Sequence, residues 1–271
     1  MFIDSHAHLF FDEFKNDLHD VMRRAEDAGV ENVIIPGTDL QTSMRSIELA
    51  EQFDMIYACV GFHPHDAGKA DDKALDEIER LSEHVKVVAI GEIGLDYHYN
   101  FSPPEVQRAI FAGQIAIAQR RDLPIVIHCR EAEVDTMHIV EEGIRTNGGW
   151  RSSAAPRGVF HCFPGDSAMA SKVIGWNFCI SIPGPVTFGE KPSKPNSMAK
   201  VVRNIPLEYI LLETDCPFLT PVPHRGQRNE PSNIPLIAEK IGELQQRTVE
   251  DVGKVTTLSA QQLFGIPSHE S

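Results

Sequence analysis

Eight short runs of β-branched and other apolar residues recur along the chain, at residues 2–4, 32–35, 56–60, 85–90, 124–127, 158–160, 177–181 and 209–212. Between them lie stretches whose apolar residues have helical spacing. Leu18, Val21, Met22 and Ala25 form one such face, with Gly29 placed to end the helix. Leu75, Ile78 and Leu81 form another, and Val106, Ile110 and Ile117 a third. Ile237, Ile241 and Leu244 mark a late helix, and Val252, Val255, Leu258 and Leu263 the last. Thr38 with Gln41 and Ser102 with Glu105 read as capping boxes, the second with Pro103 at the first helical position. Strands separated by helices must run parallel, because a tight hairpin cannot connect them. Eight such units in 271 residues predict a single (β/α)8 TIM barrel. The competing arrangement is an open doubly wound sheet, but no Gly-rich phosphate loop follows the first run. The barrel is expected to occupy residues 1–267, with 268–271 a frayed tail. Residues 146–157 and 183–195 are expected to be loops.

In a parallel barrel the C-terminal strand ends share one face, where active sites are built. Candidate metal ligands fall at those ends. His6 and His8 close the first strand, and period-two alternation points them the same way as Asp4. His63 and His65 follow the third strand and Glu92 the fourth. His128 closes the fifth, His161 the sixth and Asp215 the eighth. Imidazole suits zinc, manganese, iron or cobalt better than magnesium, which prefers oxygen. Four imidazoles and two carboxylates can fill two adjacent metal sites. Glu92 can bridge the ions with its two oxygens. Two ions ~3.5–4 Å apart can clamp a phosphoryl group and activate a water. Asp215 can ligate one ion and accept the water's proton. Asp4, Asp96 and Glu213 fit the role of carboxylates that orient ligating histidines.

Charge and cysteine content narrow the function. The formal charge is −14, which counts against a sequence-specific binder of long duplexes. An enzyme holding one or two phosphates through metal ions remains compatible with it. Arg225 and Arg228, in the segment after Asp215, could each hold a substrate phosphate. Lys191 and Lys194 could add local positive potential. The five cysteines are odd in number and contain no Cys-x-x-Cys, so neither a disulfide framework nor a zinc ribbon is expected. Cys129, Cys162 and Cys216 directly follow candidate ligands, and alternation turns them away to pack. No apolar run approaches the ~20 residues that span a bilayer. No basic-then-apolar leader opens the chain, so no membrane association and a cytoplasmic location are expected.

The motifs Asp4-Ser5-His6-Ala7-His8, Gly61-Phe62-His63-Pro64-His65 and Gly91-Glu92-Ile93-Gly94-Leu95-Asp96-Tyr97 occur in that order. Ile127-His128-Cys129-Arg130, His161-Cys162-Phe163, Glu213-Thr214-Asp215-Cys216-Pro217, and Arg225-Gly226 with Asn229 and Pro231 follow. Together they resemble the TatD family of metal-dependent deoxyribonucleases, within the amidohydrolase-like barrel superfamily. The resemblance spans nearly the whole chain; Pro164 before Gly165 departs from it. It implies a hydrolase in which His6, His8, Glu92 and Asp215 hold one divalent ion and Glu92, His128 and His161 the second. The metals would be Mg, Mn or Zn. It implies that His63, with His65 beside it, lies near the metals and helps hold substrate. The expected substrate is DNA, held near a strand end and cut at phosphodiester bonds. The same metal–water unit could attack a carbonyl, as in an aminoacyl-tRNA deacylase. A non-catalytic metal-binding protein would not need a carboxylate base beside the ligands.

Overall fold

The strands are buried almost throughout, as expected of a parallel sheet covered on both faces. They are β1 (Phe2–Asp4), β2 (Val30–Pro36), β3 (Ile56–Val60), β4 (Val87–Asp96), β5 (Ile125–Arg130), β6 (Gly158–Phe160), β7 (Phe178–Ile182) and β8 (Ile210–Leu212). The helices are α1 (Leu18–Asp27), α2 (Leu40–Gln52), α3 (Asp72–Leu81), α4 (Pro104–Arg121), α5 (Glu133–Thr146), α6 (Ser167–Gly175), α7 (Ser197–Asn204), α8 (Ile234–Gln245) and α9 (Val249–Phe264). The computed structural model describes residues 1–99, 101–147, 150–151, 155–189 and 197–268. Lys191, Lys194 and the last three residues of the expected tail fall outside them. The eight parallel strands lie in one sheet in the order β1 to β8, the nearly closed (β/α)8 barrel that the strand–helix alternation predicts.

The chain divides into two compact units. The first comprises Met1–Ile35 and Cys162–Gln262, with the chain end from Ile266. Within it β7 pairs with β8 from Ile180↔Ile210 to Ile182↔Leu212, and β1 pairs with β2 from Phe2↔Val30 to Asp4↔Val33. The β8 segment returns to β1 through Ser5 N donating to Leu212 O at 2.9 Å and a bridge between Ala7 and Cys216. The second unit comprises Pro36–His161 with Leu263–Gly265. There β3, β4, β5 and β6 pair in sequence.

Two local expectations shift. The fourth strand does not stop at Ile90 but runs to Asp96, so Glu92 lies inside it rather than after it. Its register against β5 slips by one residue: Ile90 faces Ile125, but Ile93 already faces Ile127. The extra residue makes a β-bulge, and Glu92 sits in it. The glycines beside it serve close backbone approach, not chain reversal. A Cβ on Gly91 would lie 2.6 Å from Val126 Cβ, and one on Gly94, at φ +142°, 1.9 Å from His128 O. At the other end Val85 is 88% exposed and outside the strand.

Helix starts also move by one residue. The cap of α2 is Asp39, whose carboxylate accepts from Thr42 N at 2.8 Å while Thr42 Oγ1 accepts from Asp39 N at 2.8 Å. Helix α4 starts at Pro104, and Ser102 is used elsewhere, donating to His65 O and accepting from Gly68 N, both at 2.9 Å. In α9, Leu258 is exposed rather than buried. All five cysteines are free, and burial raises the Cys129 thiol to about 11 and that of Cys179 to about 12.

Candidate metal centre

In the first unit, backbone pairing continues past β1 through both of its histidines. Asp215 N donates to His6 O at 2.9 Å, Ala7 N to Ile34 O at 3.0 Å, and His8 N to Cys216 O at 2.9 Å. Held extended in this way, His6 and His8 bring their Nε2 atoms within 3.2 Å of each other. Asp215 Oδ1 lies 3.3 Å from His8 Nε2 and 3.8 Å from His6 Nε2.

The neighbouring carboxylates turn elsewhere. Strand β8 ends at Leu212, and Asp215 has a left-handed φ of +53°, so alternation does not carry Glu213 and Asp215 to one face. Buried Glu213 accepts from Cys162 N and from Ser181 Oγ, each at 2.6 Å. Asp4 does not accompany the histidines either. Its carboxylate accepts from Thr214 Oγ1 at 2.6 Å, Thr214 N at 2.9 Å and His6 N at 3.3 Å. Burial raises its pKa to about 7 against the pull of those bonds.

In the second unit three imidazoles converge on one oxygen. Glu92 Oε1 lies 2.8 Å from His161 Nε2, 2.9 Å from His128 Nδ1 and 3.4 Å from His63 Nε2. His128 Nδ1 and His161 Nε2 are 3.2 Å apart. The bulge aims Glu92 here, and its own N donates to Gly37 O at 2.8 Å. His161 is set by its N donating to Ile127 O at 3.0 Å.

Tautomers follow from the remaining partners. His128 Nε2 lies 3.0 Å from Asp96 Oδ2, so the neutral ring carries its N–H there and turns Nδ1 toward Glu92, whose carboxylate favours a second proton on that nitrogen unless a cation takes its place. His63 is the reverse. Its Nδ1 accepts from His65 N at 3.1 Å, so the N–H of the neutral ring sits on Nε2 and points at Glu92. Burial holds His63 well below the usual histidine range, against the attraction of Glu92, which keeps it neutral.

Asp96 organises the unit's outer edge. Its Oδ2 also meets His65 Nε2 at 3.0 Å, and its Oδ1 accepts from His98 N at 3.0 Å and Tyr99 N at 3.1 Å. Burial opposes its ionisation, but bonds to His128 and His65 outweigh that and hold its pKa below the ordinary range. Burial lowers the pKa of His128, but its contacts with Asp96 and Glu92 outweigh that and raise it.

These donor sets fit a cation. His6, His8 and Asp215 form one group, and His63, Glu92 and His128 another, each with ligand atoms within 4.8 Å of one another. Lone pairs of imidazole nitrogen and carboxylate oxygen at 2.8–3.3 Å repel unless a proton or a cation lies between them. One proton can serve one such pair, whereas one divalent ion can serve several lone pairs at once.

The two candidate arginines part company. Arg228 donates to both oxygens of Asp17, at 2.8 and 2.7 Å, and its guanidinium lies over the Phe14 ring. Glu230, beside Asp17, takes both guanidinium bonds of Arg24, at 2.7 and 2.6 Å. This network occupies Arg228. Arg225 is exposed and lies 4.2 Å above the Phe188 ring.

The apolar pattern of α4 hid two buried glutamines. Gln114 accepts from Phe62 N at 2.7 Å and donates to Phe62 O at 3.1 Å, next to His63. Gln107 accepts from Asp96 N at 2.9 Å and donates to Asp96 O at 3.0 Å. They stand seven residues apart on one helix face, the only sequence signal of their role.

Among the described residues no helix is long and apolar enough to cross a membrane. A barrel with imidazole and carboxylate donors gathered at its C-terminal strand ends is the form of a metal-dependent hydrolase. The chain belongs to the TatD-related DNase family, whose model matches residues 3–265. An uncharacterized metal-dependent hydrolase, YabD of Bacillus subtilis (strain 168), is 44% identical over 267 residues, covering 98% of this chain and 100% of that one. The 3'-5' ssDNA/RNA exonuclease TatD of Edwardsiella piscicida is 33% identical over 97% of this chain and 98% of its own. The crystal structure of YjjV, a TatD homolog from Escherichia coli K12, superposes with a TM-score of 0.88 at 29% identity, covering 98% of each chain.

Proposed function

We propose that the chain hydrolyses phosphodiester bonds of DNA near a strand end, using two divalent ions. The observation that carries this reading is the convergence of imidazole nitrogens on a carboxylate oxygen in both groups. The exonuclease names borne by relatives support a nucleic-acid substrate. His6, His8 and Asp215 would hold one ion and His128 and His161 the other, with Glu92 shared between them, the arrangement implied by the TatD resemblance. Bound divalent ions polarise a phosphodiester and lower the pKa of water. Asp215 accepts the proton of the attacking water. His63, fixed as an Nε2–H donor, offers a hydrogen bond to a phosphate oxygen and cannot ligate through that nitrogen. His65 steadies Asp96 and lines the approach. Arg225 supplies a guanidinium to the phosphate.

The test is hydrolysis of labelled single-stranded DNA, nicked DNA and an aminoacyl ester, each with and without EDTA. Metal-dependent release from DNA ends is expected. Turnover of the ester alone would replace the phosphodiester reading with a deacylase.

A further inference from the structure

An exposed aromatic pair adjoins the Glu92 group and takes no part in it. Tyr99 is 42% and Phe101 68% exposed. Their rings stack, with centroids 5.4 Å apart and planes at 25°. The Arg130 guanidinium lies 4.9 Å over the Tyr99 ring, and among the described residues no carboxylate pairs with it. His65 sets its ring edge against both, 5.5 Å from Tyr99 and 4.9 Å from Phe101. The platform is tied to the candidate metal centre through one carboxylate: Asp96 accepts from Tyr99 N and also meets His65 and His128.

Two large rings left in water with a cation on one face gain little for the fold itself. An occupant that rewards them must carry a flat π surface and a negative charge together. An unpaired nucleotide has both, since every base offers a face to stack and its phosphate matches a guanidinium. On a chain of net charge −14, an arginine without a carboxylate partner is also a local point where an anion can approach.

We propose that Tyr99, Phe101 and Arg130 form a stacking platform for a base of the single strand whose backbone enters the metal centre. The proposal rests on the nuclease reading and adds to it the side chains that would take an unpaired base. A base in a duplex already stacks on its neighbours and cannot use the platform without being splayed out.

The experiment compares metal-loaded wild type with the double variant Tyr99→Ala, Phe101→Ala. Substrates are a short single-stranded oligodeoxynucleotide and an abasic oligomer of the same length. The variant should raise KM for the base-bearing strand about tenfold, which is about 1.4 kcal/mol, and leave kcat and the abasic substrate unchanged. Exchanging the rings, Tyr99→Phe with Phe101→Tyr, should restore KM. A second readout needs no turnover: in an Asp215→Asn background, 2-aminopurine in the strand should be quenched on binding when the platform is intact and not when it is removed.

An unchanged KM for the base-bearing strand, or an equal loss on both substrates, overturns the platform. So does a double variant that dissociates an oligomer without changing DNA affinity, because the rings would then face a second copy. If wild type hydrolyses neither strand, the nuclease reading fails. The 2-aminopurine quench then decides the platform alone, and its absence overturns it.

Discussion

Gln114 sits in α4, a helix whose apolar residues gave no hint of it, and its removal tests whether that helix holds the His63 segment in place. Gln114 is fully buried, and its amide closes both hydrogen-bonding groups of Phe62, which is 3% exposed. Gln114→Met keeps length and helix preference but offers neither donor nor acceptor. Phe62 N–H and C=O would then be left buried without their partner, at ~1–3 kcal/mol each. Partial relaxation brings the expected total to about 3 kcal/mol, a fall in Tm of about 6–12 °C for a chain of this size. The assay is urea and thermal unfolding of metal-free protein, so that metal binding does not mask the loss. Ala112→Met, on the exposed face of the same helix, is the control. A Gln114→Met variant within about 0.5 kcal/mol of wild type would refute the clamp and imply that Phe62 finds other partners.

Four further outcomes are expected. Chelation should abolish hydrolysis and Mn or Mg should restore it; full activity in protein shown metal-free by elemental analysis would contradict the metal centre. Glu92→Gln should lower metal content below that of either His128→Ala or His161→Ala, since three imidazoles, His63, His128 and His161, face this one carboxylate; normal metal content and turnover would exclude the shared role. Asp215→Asn should cut kcat by about 10²–10⁴ with near-normal Tm, whereas Glu213→Gln should lose more Tm than kcat, because its new NH₂ must face the Cys162 N–H or the Ser181 hydroxyl; the opposite pattern would exchange their roles. Burial raises Glu230, but bonds from Arg24 and Ser232 outweigh it and lower its pKa from 4.5, so its stabilising effect is full above that value and fades as pH falls through the lower folded pKa. The Tm gap between wild type and Glu230→Gln should therefore be constant above pH 4.5 and narrow below it; a gap that widens in acid would reverse the sign.

The alternation of strands and helices was legible because burial on both sheet faces forces β-branched runs, and crossover helices need an amphipathic stripe. The convergence of candidate ligands was legible because parallel strands bring their C-terminal ends to one side. What escaped the pattern was local. The fourth run breaks off at residue 90 in the apolar pattern, yet Gly91 and Gly94 carry the strand through the bulge that aims Glu92, and a bulge leaves no periodic trace. Thr38 and Asp39 are both good caps, and the sequence alone does not say which one the chain uses. Apolar spacing picked out Val106 and Ile110 on α4, which are only half-buried, while Gln107 and Gln114 go fully inside because backbone groups await them. Arg225 and Arg228 are equivalent as letters; only the fold brings Asp17 to the second.

The carboxylates near the strand ends divide by the kind of partner each has found. Asp4 and Glu213 are held by backbone N–H and hydroxyl donors, which fix their direction, and at Asp4 burial outweighs those donors and raises the pKa. Asp96 splits its oxygens, one to backbone N–H groups and one to imidazole N–H groups, so it acts as an acceptor that sets tautomers. Glu92 and Asp215 differ in kind. Histidine nitrogens crowd both, at 2.8 Å and 2.9 Å from Glu92 and 3.3 Å from Asp215. A carboxylate already held by backbone and hydroxyl donors has little reason to bind a cation, whereas one set among imidazole nitrogens has ligands to share with it. Residue type does not make that division, since aspartate and glutamate occur in both groups. The donor geometry makes it, and it is the ground on which Glu92 and Asp215 are proposed as the carboxylates that a metal would bind.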